Sequence, residues 1–280
     1  MSIAVAPGEP DQLAETLEEA VPGLKPVQPL TVVRTNTALI VVPLIIAAGG
    51  IWLYIYRSRL LDADRAGHNP RVARALQWEL LKPQIEQHIS ITVWSTVFVL
   101  LIAVPLGIVL TRPRYRAIGS PILAVATSGQ AVPAFGLLVL TYAWLAARGP
   151  WTVIWAFTLF TLLPVLRNTM VGIEQVSSAV IEAGRGMGLT KLQALRYIEL
   201  PLAVPVILAG VRTALVINVG MTALAFFIGG GGLGETINTG LQNGINQIVM
   251  VGAVMTALLA LIIDWIAALV EKVLRPSGLS

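Results

Sequence analysis

The chain has 280 residues, 56% of them hydrophobic and 34 charged, 19 basic and 15 acidic, with a mean hydropathy of +0.78. A soluble domain carries about twice this share of charge, so a soluble enzyme is excluded. The net charge of +4 and the pI near 9.7 have a plain source in the cationic loop anchors of a membrane protein and imply no nucleic acid. Cysteine is absent, which removes disulfides, thiolate metal sites and a cysteine nucleophile.

Residues 1–33 are rich in acid and proline, with Glu9, Asp11, Glu15, Glu18 and Glu19 where a signal peptide would carry a basic region. They read as a solvated tail with a short helix over 11–20. Charge then vanishes from long runs, 35–56, 89–111, 117–147, 149–166, 213–234 and 236–263. Most of these reach the ~20 residues that cross a bilayer as a helix, and the alternation of a membrane barrel is missing. Spans are expected at about 36–56, 89–111, 118–147, 151–171, 204–227 and 248–270. The fold class is all-α, a polytopic membrane protein of about six transmembrane helices.

The third uncharged run exceeds one straight span and holds Ser128-Gly129-Gln130-Ala131-Val132-Pro133 near its middle. Proline removes a helix hydrogen bond and the glycine adds freedom, so a kink or a break into two half-helices is expected. Two readings stay open. The kink is simply tolerated by neighbouring helices, or unwound backbone lines a polar path, with Gln130 and Pro133 as path residues.

Two long polar stretches remain, 57–88 and 167–201. In the second, Ser177 and Ser178 are possible caps and a helical stretch runs through Glu182 to Met187. Gly188 then suits the left-handed position that ends a helix. Thr190-Lys191-Leu192-Gln193 matches a capping box that opens a second helix, with Leu192, Leu195 and Ile198 apolar every third residue and Pro201 expected to stop it. A helix, glycine turn, helix unit standing in water is more than a connector between spans requires, and it points to a protein partner.

Glu182-Ala183-Gly184-Arg185-Gly186-Met187-Gly188, nine further residues, and Ile198-Glu199-Leu200-Pro201 resemble the EAA signature of ABC importer permeases. The pattern is E-A-A, three residues, G, nine residues, I-x-L-P. Gly184 replaces the usual second alanine, and with Gly186 it loosens the first helix by about 1 kcal/mol per glycine. Further stretches resemble the osmoprotectant branch, which serves glycine betaine, choline, carnitine and proline betaine uptake. These are Gln130-Ala131-Val132-Pro133-Ala134, Leu163-Pro164-Val165-Leu166-Arg167-Asn168-Thr169, Ala209-Gly210-Val211-Arg212-Thr213-Ala214, Val216-Ile217-Asn218-Val219-Gly220 and Ile228 through Glu235. The likeness covers roughly 88–270.

The resemblance implies a five-helix importer-permease core in the cell membrane of a prokaryote. It also implies a cytoplasmic loop whose first helix docks on a separate ATPase subunit, through Glu182, Ala183, Gly184, Met187, Gly188, Leu189, Ile198, Leu200 and Pro201. ATP and Mg belong to that ATPase, an extracytoplasmic binding protein supplies the solute, and a second copy or a sister permease completes the pathway. The expected layout is a polar cytoplasmic tail at 1–35, an extra transmembrane helix at 36–56 and a polar outer loop at 57–87, all outside the resemblance, then the permease domain at 88–272 with its coupling loop at 172–202, and a cytoplasmic tail at 273–280. With that loop inside, eleven Lys and Arg fall inside and seven outside, six of those seven within the 57–88 stretch; the bias follows the positive-inside rule only weakly.

Other features carry less. Gly229-Gly230-Gly231-Gly232-Leu233-Gly234 satisfies G-x-G-x-x-G literally but lacks the strand, helix and acid of a dinucleotide site; it reads as a flexible outer loop. No G-x-x-x-x-G-K-[ST] occurs, so the chain does not hydrolyse ATP alone. His68 and His88 have no metal-ligand spacing and read as solvent or interface residues. Arg212 and Asp264 lie inside spans, so they pair with each other or snorkel, in a structural or a gating role. Asn218 bonds across helices or lines the path with Gln130, and Gly210, Ala214 and Gly220 permit close helix approach. The rival class is an ion-coupled secondary transporter, for which Asp264 is the one candidate coupling residue.

Overall fold

The computed structural model describes residues 35–65 and 70–274. The tail with its expected helix at 11–20, His68 and the last residues lie outside the described ones. Residues 41–280 cluster as one compact unit, and of residues 1–40 only the start of the first helix is described. The helices in chain order are α1 Thr35–Arg65, α2 Pro70–Ala75, α3 Trp78–Leu110, α4 Arg116–Gln130, α5 Ala134–Leu145, α6 Pro150–Glu174, α7 Ser178–Gly186, α8 Lys191–Ala194, α9 Leu200–Thr222, α10 Gly234–Asn243 and α11 Asn246–Leu274. Five stretches are long and apolar enough to cross a membrane, namely Leu39–Asp62, Trp78–Leu110, Pro150–Glu174, Lys191–Thr222 and Asn246–Leu274. The third uncharged run is broken into two shorter helices: α4 and α5 flank Ala131 to Pro133, with Pro133 in extended geometry at the start of α5.

α6 is the centre of the bundle. In its most apolar window 61% of the residues are buried, against none in the corresponding windows of α1 and α11. It packs between α3 and α9, and small residues set the spacing. A Cβ on Gly107 would lie 2.8 Å from Thr169, and one on Gly210 would lie 2.7 Å from Asn168, so larger side chains would push the helices apart. Ala214 is buried in the same core. Gly220 is not at a helix contact, because it is exposed with nothing near its missing Cβ; a 100° turn per residue carries it away from the face that holds Asn218.

The bundle has two ends. One carries α7 and α8, the loop end. The other carries residues 223–246, the glycine end. The glycine segment is no flexible loop. Gly230 to Gly234 are buried, and Gly229, Gly231 and Gly232 hold φ of +74°, +79° and +90°, a region closed to most side chains. The Gly232 N–H donates to Gln87 Oε1 at 3.2 Å and the Leu233 N–H donates to His88 Nδ1 at 3.3 Å. His88 in turn donates from Nε2 to the Val219 carbonyl at 2.9 Å. His88 is therefore not a solvent residue; it is a fully buried neutral imidazole that staples α3, α9 and the glycine segment together. Sequence spacing missed it because its partners lie more than a hundred residues away.

The polar stretch at 57–88 is mostly helical and packs at the glycine end. Val72 and Leu76 form a core with Ile248 and Val251 at the start of α11, flanked by Leu53, Tyr56, Leu60 and Leu61, and Arg57 Nε donates to the Leu76 carbonyl at 3.0 Å. Its cations thus sit at the opposite end from α7 and α8. The native chain has no cysteine, so single thiols report sidedness cleanly. Arg74→Cys and Arg196→Cys are expected to react with a membrane-impermeant maleimide from opposite faces, one in intact cells and the other only in inverted vesicles. Labelling of both from the same face would contradict the arrangement of ends.

Candidate functional site: the helical unit at the loop end

The chain leaves α6 at Glu174 and builds α7 after Ser177, whose side chain makes no cap bond. At the far end of α7 the N–H groups of Met187, Gly188 and Leu189 donate to the carbonyls of Ala183, Arg185 and Gly184 at 3.0–3.2 Å, which satisfies acceptors a helix terminus otherwise leaves open. Gly188 has φ of +95° and is the residue that lets the chain reverse there. The capping box forms as the sequence indicates. Gln193 N–H donates to Thr190 Oγ1 at 3.3 Å, and Thr190 N–H donates to Gln193 Oε1 at 2.8 Å.

The two arms close on each other at Gly184. It is buried, and a Cβ there would overlap Ile198 Cδ1 and lie 3.3 Å from Leu189 Cδ1. The glycine that departs from the usual alanine therefore admits Ile198 rather than merely loosening α7. Glu182, Ala183, Met187 and Gly188 point outward, joined by exposed Val180, Leu192 and Tyr197. Exposed apolar side chains thus gather beside the Glu182 carboxylate on one face of the unit.

Pro201 does not stop the second arm. The helix passes through a wide π-turn, Leu195–Glu199, directly into α9, with Leu200 and Pro201 in its first turn. A proline ring at 201 clashes with the carbonyl of residue 197 in a regular α-helix. The wide turn, in which the Leu200 N–H reaches back to the Leu195 carbonyl, relieves that clash.

A further pair at this end was not visible from spacing. Arg112, just past α3, grips Glu199 with Nη1 to Oε1 at 3.3 Å and Nη2 to Oε2 at 2.6 Å, and its Nε donates to the Ile108 carbonyl at 3.2 Å. Glu199 is 5% exposed. Sequence offered only the unnamed position of the I-x-L-P pattern and one arginine among three in a short loop. Between this pair and α7 lies an open cleft of about 750 Å³, lined among others by Glu174, Ser178, Arg185, Lys191 and Leu195.

Arg212 and Asp264 are paired with each other. Arg212 holds Asp264 in a two-bond fork, Nε to Oδ1 at 2.6 Å and Nη2 to Oδ2 at 2.8 Å. Glu271, two helical turns beyond Asp264, stands 3.8 Å from Arg212 Nη1 as a third member the sequence reading did not include. Asn218 is fully buried and bonds across helices. Its Nδ2 donates to Thr96 Oγ1 on α3 at 3.0 Å, and its Oδ1 accepts from Thr161 Oγ1 on α6 at 3.2 Å. These bonds go to α3 and α6, so the structure does not join Asn218 to the α4–α5 break, where Pro133 is exposed. The Gln130 side chain lies outside the described residues.

A family model of binding-protein-dependent transport system inner membrane components matches residues 103–276. The chain belongs to that family. The matched region holds the α7–α8 unit, Arg112, Glu199, Arg212 and Asp264, and leaves out α1, α2 and most of α3. Among curated relatives, the glycine betaine/carnitine/choline transport system permease protein OpuCD of Bacillus subtilis is 41% identical over 192 residues, 68% of this chain and 82% of the relative. The osmoprotectant import permease protein OsmW of Salmonella typhimurium is 36% identical over 197 residues, 69% and 91% of the two chains. A solved inward-facing structure of the MetNI methionine ABC transporter aligns with a TM-score of 0.62 at 24% identity, over 71% of this chain and 98% of that one; that likeness concerns the fold. As an inner membrane component this chain is a multi-pass transport subunit, and the extra α1 lies ahead of the family's matched region.

Arg212 and Asp264 then test how such a subunit holds charge inside its spans. Replacing Arg212 by Ala strands a carboxylate, and the bundle is expected to lose about 1–3 kcal/mol, the figure for a fully buried pair reduced for partial exposure. The swapped variant R212D/D264R recovers at least half. Thermal unfolding in detergent micelles measures both.

Proposed function

We propose that the chain is the transmembrane permease of an ATP-driven, binding-protein-dependent importer for osmoprotectants such as glycine betaine, choline or carnitine, and that residues 178–199 dock on a separate ATPase. One observation carries the docking: a closed helix, turn, helix unit between α6 and α9 presents Glu182, Ala183 and Met187 as exposed residues, while Gly184, Leu189 and Ile198 hold its arms together. The names and identities of the relatives support the solute class. The loop end faces the cytoplasm in this reading, and the glycine end with the 57–88 stretch faces the binding protein that delivers the solute. Two copies, or this chain and a sister permease, enclose the pathway. α1 and α11 bury nothing in their most apolar windows, and their outer surfaces meet lipid or the second permease. ATP and Mg are handled in the ATPase, so hydrolysis belongs to that partner and this chain converts its closure into a change of access. Asp264 is engaged by Arg212, which favours this reading over ion-coupled transport, since a coupling carboxylate must take up and release its ion.

The separating experiment uses the assembled transporter. Glu182→Lys reverses charge on the docking surface, and Gly188→Leu forces a bulky residue into φ of +95°, which costs about 1–2 kcal/mol at the turn. Both are expected to reach the membrane at normal levels and to lower ATP-dependent uptake at least about tenfold, equivalent to about 1.4 kcal/mol of docking energy. Retention of the ATPase on the tagged permease should fall in parallel. Undiminished uptake by both variants would refute the docking assignment. The solute is read separately, from the affinities of the cognate binding protein for glycine betaine, choline and carnitine.

A further inference from the structure

We propose that Arg112 and Glu199 are positioning residues, a pivot through which tilting of the docking unit is delivered to α3 and α4 as well as to α9. The proposal rests on reading residues 178–199 as the ATPase-docking unit.

The covalent route from the unit into the membrane is narrow. At one side it joins α6 through 175–177, and at the other it enters α9 through the π-turn. Neither α3 nor α4 is connected to it by the chain. A π-turn is a soft joint, because its hydrogen bonds are displaced from the regular ladder and such turns occur as single insertions at functional sites. Glu199 is the last residue of that joint. The Arg112 fork therefore clamps the membrane side of the joint and leaves the docking side free to move.

The clamp itself is stiff. Two parallel bonds between a planar guanidinium and a carboxylate fix orientation as well as distance, and the third bond from Arg112 Nε to the Ile108 carbonyl ties the guanidinium to the last turns of α3. Glu199 is buried, so releasing it would leave a charge without a partner. Arg112 also lies four residues before the start of α4, and α4 leads to the break at 131–133. Motion that arrives at Glu199 thus reaches the broken helix through Arg112 without passing along α9. The open cleft of about 750 Å³ is bordered by both residues and by α7, and it gives the unit room to tilt against the clamp.

The test reconstitutes the complete importer, with ATPase and binding protein, in proteoliposomes and measures solute moved per ATP hydrolysed. Glu199→Gln keeps the shape but loses the charge. Arg112→Lys keeps the charge but loses the fork. Each is expected to lower the ratio about threefold or more while the ATPase remains bound, and R112E/E199R is expected to regain at least half of the loss. An unchanged ratio in both single variants overturns the proposal. So does a loss of membrane abundance or of bound ATPase that accounts for the whole fall in transport, since the pair is then only structural. If Glu182→Lys leaves the ATPase docked, the docking reading fails and the pivot fails with it. If Glu182→Lys releases the ATPase and the ratio is unmoved in the Arg112 and Glu199 variants, the pivot alone fails.

Discussion

Hydrocarbon offers no hydrogen-bonding partner, and every polar group this chain carries into the bilayer must find one inside the protein. That constraint shapes the bundle more than hydrophobicity does, because lipid is as apolar as leucine and gives helices no reason to associate. The central helix α6 shows the first solution. Thr158 and Thr169 donate to carbonyls four residues back at 2.7–2.8 Å, and Thr161 shares its one proton between the Phe157 carbonyl at 2.7 Å and Asn218 Oδ1 at 3.2 Å, so these hydroxyls are satisfied in the core. The second solution is to spend polar groups between helices. Asn218 joins α3, α6 and α9 through Thr96 and Thr161, and His88 joins α3, α9 and the glycine segment. Close approach at Gly107 and Gly210 brings these short side chains within reach of one another. The non-helical backbone at 229–233 is held at the end of the bundle in part because Gln87 and His88 accept the N–H groups of Gly232 and Leu233.

Local chemistry was legible in the sequence and long-range chemistry was not. The broken span at 131–133, the left-handed Gly188 and the Thr190–Gln193 box depend on neighbours a few residues apart, and the structure forms all three. The spans themselves followed from charge-free runs, since exclusion of charge is a property of each segment alone. Pro201 misled because a proline's ordinary effect on an α-helix says nothing about a π-turn placed ahead of it. Arg112 with Glu199, and His88 with Val219 and Leu233, join residues 87, 131 and 145 positions apart, and no spacing rule marks a partner at that distance. The glycine run misled for the same reason. Six residues with few side chains suggest freedom until the helices around them supply acceptors and walls.

The orientation of the 57–88 stretch follows a similar logic. Six of its side chains are basic, and counted alone they argue for the cytoplasm. Packing places the stretch at the end opposite α7 and α8, because Val72 and Leu76 are buried against the start of α11 at the glycine end. Charge rules act while a span is being inserted, when the alternatives are nearly equal in energy. A buried apolar contact acts on the finished bundle and fixes which end the stretch occupies, so where the two disagree the packed core decides the folded arrangement.

Different chemistry holds the two halves of the bundle. Toward the glycine end the polar contacts are neutral and fully buried, with Asn218, Thr222 and His88 all at 0% exposure. Toward the loop end they are ionic: Glu199 is buried in the fork of Arg112, while the cluster in the spans is partly open, with side-chain exposures of 39% for Arg212, 25% for Asp264 and 34% for Glu271. A neutral network in a dry core is costly to part, since each freed group loses its only partner. An ion pair near water is cheaper to part, because hydration replaces much of what is lost. A permease that changes access needs one region that keeps its helices in register and another that yields. The distribution of contacts supplies both, with the dry neutral network at the glycine end holding register and the hydrated Arg212, Asp264 and Glu271 cluster free to yield.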